Sequence, residues 1–73
     1  MNYKELNRKE VGLKLYAVIS SSGKTLEEVA RFLKLNSPRV IYDWMSGKKL
    51  PNCERLCNLS AFLNVRMEEI LAL

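Results

Sequence analysis

Residues 25–51 read TLEEVARFLKLNSPRVIYDWMSGKKLP, and the punctuation of this stretch decides the fold. Thr25 followed three residues later by Glu28 is a capping box, in which each side chain satisfies a backbone N–H of the other at a helix start. Leu26, Val29, Ala30 and Leu33 then recur at helical spacing, with Phe32 nearby, and predict a buried face on a helix ending near Lys34. Leu35, Asn36 and Ser37 form a break. Ser37 is placed to cap a second helix over residues 38–45, with Pro38 in its first turn, where the missing N–H costs nothing. That helix is expected to bury Ile41 and Trp44 and to carry Arg39, Val40, Tyr42 and Asp43 on its other faces. Ser46 and Gly47 stop it, and Lys48, Lys49, Leu50 and Pro51 make the exit loop. Two short helices joined tightly, the second followed by bare lysines, present one helix to a DNA groove.

Helical signals continue on both sides. Upstream, residues 1–6 are a lead-in, and Asn7 with Glu10 marks a helix start, with Asn2 and Glu5 as a second candidate one turn earlier. Val11, Leu15, Val18 and Ile19 form one apolar stripe, and Gly23 after three serines suits the left-handed end of that helix. Downstream, Asn52 caps a fourth helix with Cys53, Leu56, Cys57, Leu59, Ser60 and Leu63 on or near a common face. Asn64 ends it in the left-handed region, which asparagine tolerates. A last short helix runs from Met67 to about Ala72, with Ile70 and Leu71 apolar. The expectation is an all-α, five-helix single domain spanning residues 1–73, without strands.

Size and composition narrow the function. Seventy-three residues supply one core and leave no room for a deep enzymatic cleft with supporting layers. Histidine is absent, which removes the commonest general base and metal ligand. No nucleophile–base pair is visible, so an enzyme is not expected, and no cofactor or small-molecule ligand is evident. The net charge of +4 suits an anionic partner. No apolar run approaches a membrane span and no leader pattern appears, so the expected address is the cytoplasm. Cys53 and Cys57 are too few for a disulfide framework. Their i, i+4 spacing can fit metal ligands, but no histidine or further cysteine completes a tetrahedral zinc site, and the reading preferred is two small buried hydrophobes.

From Val11 to Leu71 the chain resembles the phage repressor/Cro-type helix-turn-helix domain, the xenobiotic-response-element (XRE) family. The resemblance is carried by Val11 and Gly12 in helix one, Thr25-x-Glu27-Glu28-Val29-Ala30 in helix two, and Ile41-x-x-Trp44 in helix three. It continues in Ser46-Gly47-Lys48-x-x-Pro51 after helix three and in Leu56-x-x-Leu59-Ser60-x-x-Leu63-Asn64-Val65 in helix four. It implies a compact lambda-repressor-like bundle whose helices two and three form the helix-turn-helix. It also implies a bacterial or phage regulator of transcription that binds a double-stranded DNA operator, usually as a homodimer. Three departures stand out. Lys34, Leu35 and Asn36 replace the glycine usual at the end of helix two, and the turn is one residue longer. Ile19 and Met45 replace an arginine and a glutamate that commonly pair. Asn64 replaces a glycine.

The resemblance places base contacts at Pro38, Arg39, Val40 and Asp43. Arg39 suits a guanine edge or a phosphate, Val40 a thymine methyl, and Asp43 either a cytosine amine or an i, i+4 pair with Arg39. Lys24, Thr25, Ser37, Tyr42, Lys48 and Lys49 are the candidates for the DNA backbone. Tyr42 has two readings, a hydroxyl on a phosphate or a ring capping the core beside helix four. Ile70, Leu71 and Leu73 offer a two-fold contact that would set recognition helices about 34 Å apart, the alternative being frayed C-terminal residues that pack on their own core. The alternative to a DNA-binding regulator is a protein-interaction adaptor on the same fold, antirepressor-like or antitoxin-like, using Tyr42, Val40 and the helix-five leucines.

Overall fold

A computed structural model describes residues 6–71. It contains α1 (Arg8–Ser22), α2 (Leu26–Phe32), α3 (Arg39–Met45), α4 (Cys53–Leu63) and α5 (Met67–Leu71), with no strand among the described residues. The alternative start at Asn2 and Glu5, and the expectations for Ala72 and Leu73, lie outside the described residues.

Helix starts follow the caps. The Asn7 side chain accepts from the N–H groups of Lys9 and Glu10 at 3.0 and 3.2 Å. At α2 the capping box closes in both directions: Glu28 N–H donates to Thr25 Oγ1 at 3.1 Å and Thr25 N–H to Glu28 Oε1 at 3.0 Å. Those bonds hold the Glu28 carboxyl below its ordinary pKa, through the backbone bond first and the side-chain bond second, with Lys24 and Arg31 adding attraction. The stabilisation from this lowered pKa is present above the unfolded carboxylate value and is lost as pH falls through the folded one. Asn52 Oδ1 accepts from Arg55 N–H at 2.8 Å to open α4. At α3 the boundary differs by one residue from the sequence reading. Pro38 occupies the cap position in helical geometry, and its carbonyl accepts from both Ile41 and Tyr42. Ser37 still serves the helix start, its hydroxyl accepting from Arg39 N–H at 3.4 Å.

Helix ends share one device. After α2, Lys34 N–H donates to Arg31 O and Leu35 N–H reaches back to Ala30 O, a pattern that needs a left-handed residue at Lys34, whose φ is 60°. The helix therefore closes at Phe32 with Leu33 as its cap, two residues before Lys34. The longer turn after α2 is thus an ordinary one with lysine where glycine is easier. Gly47 does the same for α3, with Lys48 N–H bonding Asp43 O, and Asn64 for α4, with Val65 N–H bonding Ser60 O. A left-handed L-residue costs about 1–2 kcal/mol, offset partly by glycine's larger entropy loss. Lys34→Gly is accordingly expected to raise stability by about 0.5–1 kcal/mol, read as a higher urea midpoint at unchanged slope. A lower midpoint would mean that Lys34 makes a compensating contact.

The core comprises Val11, Leu15, Ile19, Val29, Ala30, Leu33, Ile41, Trp44, Leu59, Leu63 and Ile70, drawn from every helix and the α2 cap. Val18, Leu26, Leu56, Met45 and Val65 pack at its edge. One expectation fails here. Cys53 and Cys57 are exposed, not buried. The α4 stripe is centred on Leu59 and Leu63, and the two thiols flank it on the outer side. Ile70 is wholly buried in its own core, which agrees with the alternative of C-terminal residues packing on the bundle, and Leu71 stays half-buried.

Helix α1 crosses the end of α3 at close range, with Gly12 at the crossing. A Cβ on Gly12 would stand 2.4 Å from the Met45 carbonyl oxygen and 2.7 Å from that of Trp44. This crossing fixes the angle at which α3 leaves the core.

Candidate nucleic-acid interface

Helix α3 is anchored from one side. Ile41 is fully buried and Trp44 nearly so, three residues apart on one face. The opposite face is therefore turned outward: Arg39, Val40 and Tyr42 are exposed, and Pro38 and Asp43 are half-buried. Asp43 also serves the helix end through its backbone, its carbonyl accepting from Lys48 and Lys49 N–H and from Ser46 Oγ.

Tyr42 is 56% exposed and does not cap the core beside α4. It lines an open depression of about 380 Å³ together with Tyr16, Ser20, Lys24, Thr25 and Met45. Ile19 and Leu26 complete that lining. Ile19 and Met45, at the positions where the resemblance implies an ion pair, are both apolar and both line this depression. Replacing a buried pair in this way need not lower stability.

Lys24 has a neighbour that the sequence reading did not anticipate. Its Nζ lies 5.0 Å from the centroid of the Phe62 ring, within cation–π range. Phe62 in turn stacks on Phe32, with centroids 4.3 Å apart and planes at 17°. The capping box also occupies the N–H groups of Thr25 and Glu28, two of those that a phosphate at the start of α2 would use.

The exit of α3 gains cations from the other end of the chain. Arg8 Nη1 donates to the Lys48 carbonyl at 3.3 Å, and the Lys9 side chain lies against Gly47, 3.0 Å from where a Cβ would stand. Arg8, Lys9, Lys48 and Lys49 are all exposed, so four positive residues gather beside the end of α3. A gap of 40 positions separates Arg8 from Lys48, and no local pattern in the sequence links them. Arg55 was also missed. Its Nη1 donates to Leu33 O at 3.1 Å, placing a guanidinium on the negative end of α2 and tying α4 to the turn before α3.

Two short helices in tandem, the second buried on one face and basic at its exit, match the Helix-turn-helix family model HTH_3 over residues 7–70. The chain belongs to the helix-turn-helix family. Among solved structures, this helix-turn-helix chain is similar to the clp gene regulator ClgR from C. glutamicum, at 25% identity and a TM-score of 0.78, covering 94% of this chain and 88% of that one. It is also similar to the BldD DNA-binding domain of S. venezulae, at 26% identity and a TM-score of 0.73, covering 89% and 96%. The restriction-modification controller protein C.AhdI from Aeromonas hydrophila shares the fold, with a TM-score of 0.78 at 16% identity over 88% and 91% of the two chains. No curated protein matches in sequence. No helix among the described residues is long and apolar enough to cross a membrane.

Proposed function

We propose that this helix-turn-helix chain is a sequence-specific, double-stranded DNA-binding transcription regulator, repressor-like in plan, that lays α3 in the major groove. The observation that carries this reading is the polarity of α3: Ile41 and Trp44 hold it from beneath while Arg39, Val40 and Tyr42 face outward above a basic exit. A major groove admits one helix, whose N-terminal residues reach base edges. Pro38, Arg39, Val40 and Asp43 occupy that end and the outward face. Tyr42, Thr25, Ser37 and Lys24 are the candidates for contacts to the phosphate backbone, with Tyr42, Thr25 and Lys24 around one depression. Lys48 and Lys49, joined by Arg8 and Lys9, are placed for backbone contacts at the exit. The printed descriptions of BldD as a DNA-binding domain and of ClgR as a gene regulator support the reading.

The protein acts in the cytoplasm, where its DNA is, and binds as a homodimer on a two-fold operator with half-sites about 34 Å apart. A selection from a random duplex pool tests binding and symmetry together. The expected result is an enriched inverted repeat whose half-sites lie about one helical turn apart. Failure to retain any duplex at low salt sinks the proposal and favours an adaptor. Lys48→Ala is expected to weaken binding about equally on all sequences and to lower the salt slope by about one unit. A loss confined to particular bases would move Lys48 into the base-reading set.

A further inference from the structure

The two thiols that the core does not absorb have a third sulfur beside them. Cys53 and Cys57 are free, exposed and one turn apart on the outer flank of α4, so their Cβ atoms lie about 5–6 Å apart. Met67, the first residue of α5, brings its thioether to the same place: the Cys57 thiol donates to Met67 Sδ at 4.0 Å. We propose that Cys53, Cys57 and Met67 form a binding site for one soft monovalent metal ion, Cu(I) or Ag(I).

The separation fits such an ion. Three sulfurs arranged trigonally about a metal at about 2.3 Å, the length of a zinc–thiolate bond, stand about 4.0 Å from one another. Cys57 and Met67 are already at that distance. Cys53 is exposed at the first position of α4, one helical turn from Cys57, and would complete the set by rotation of its side chain. The donor set also selects the ion. Zinc sites take four ligands from cysteine, histidine and carboxylates, and no three such residues converge among the described residues. Two thiolates with a thioether form a soft, low-coordinate set, the kind that favours Cu(I). Binding releases both thiol protons to solvent and forms three metal–sulfur bonds, so a neutral dithiol site becomes a monoanionic complex. Because Met67 opens α5 and both cysteines belong to α4, the ion fastens the five-residue α5 to α4.

The test titrates the full, reduced chain with Cu(I) held by the chelator bicinchoninate and follows loss of the chelate colour. One Cu(I) per chain is expected to transfer. Cys53→Ser and Cys57→Ser, both at exposed positions and each checked for retained fold by circular dichroism, are each expected to abolish the transfer. Met67→Leu keeps the volume and is expected to weaken uptake by about ten-fold or more, since even outer partners of metal ligands contribute that much. One equivalent of Ag(I) is expected to raise the melting temperature of the wild type and to leave both serine variants unmoved. The proposal is overturned by no uptake, by uptake that survives either serine, by half an equivalent per chain from bridging between copies, or by full affinity in Met67→Leu. None of these readouts involves DNA, so the result is independent of the proposed regulatory function.

Discussion

Gly12→Ala is expected to destabilise the protein by about 2 kcal/mol, although the same change in an open helix would stabilise it by about 1 kcal/mol. The sign reverses because the added Cβ would meet two backbone carbonyl oxygens, at 2.4 and 2.7 Å, rather than a movable side chain. Relief requires α1 and the end of α3 to move apart, and that strips packing from Val11, Leu15, Ile41 and Trp44. Overpacking of this kind costs about 1–3 kcal/mol, and a chain of this size has a total of only about 3–5 kcal/mol. The melting temperature is expected to fall by on the order of 10 °C. Urea unfolding of the two proteins side by side measures the effect. An unchanged or raised midpoint would show that the crossing is looser than described. Since the same crossing sets the direction of α3, any residual folded Gly12→Ala protein is expected to bind its operator less tightly as well.

Arg39→Ala is expected to lower affinity for the selected operator by about 10- to 100-fold, corresponding to about 1–3 kcal/mol for one bidentate contact to a base. Arg39 is the outward-facing cation at the start of α3, and its N–H is held by Ser37, so its backbone is fixed while its guanidinium is exposed. The loss should be concentrated at one base pair of each half-site, with discrimination relaxed at that position. Stability should stay within about 0.5 kcal/mol of wild type, as for other exposed positions. Comparing Arg39→Ala with Lys48→Ala on the preferred and on scrambled duplexes separates base reading from phosphate attraction. Equal binding of Arg39→Ala to every sequence tested, at wild-type affinity, would remove α3's first turn from the reading surface.

Most of the fold was legible because its signals are local. Thr25 and Glu28 close their capping box as read, Asn7 and Asn52 cap as read, and the stripes through Val11, Leu15 and Ile19 and through Ile41 and Trp44 are buried as read. The misses arise where hydrophobicity and geometry part. Cysteine scores as an interior residue, yet the 100° step of a helix carries Cys53 and Cys57 past the edge of a stripe that Leu59 and Leu63 already fill. Lys34 has no local mark of a left-handed turn, because its conformation is imposed by where α2 must stop and α3 must begin. The candidate interface was half legible. Its recognition helix follows from Pro38, Ile41 and Trp44, but the approach of Arg8 and Lys9 to residues 47 and 48 depends on how α1 crosses α3. Arg55 on Leu33 and Lys24 over Phe62 depend in the same way on tertiary packing.

Ile19 in the core and Met45 at its edge belong to a wider apolar pattern. Among the described residues the interior holds no buried polar or charged side chain. The core thus contributes no titrating group and no internal ion pair for salt to screen. Ionic strength is therefore expected to weaken DNA binding well before it weakens this apolar core, and it reaches stability only through surface features such as the Thr25–Glu28 capping box and Arg55 on Leu33.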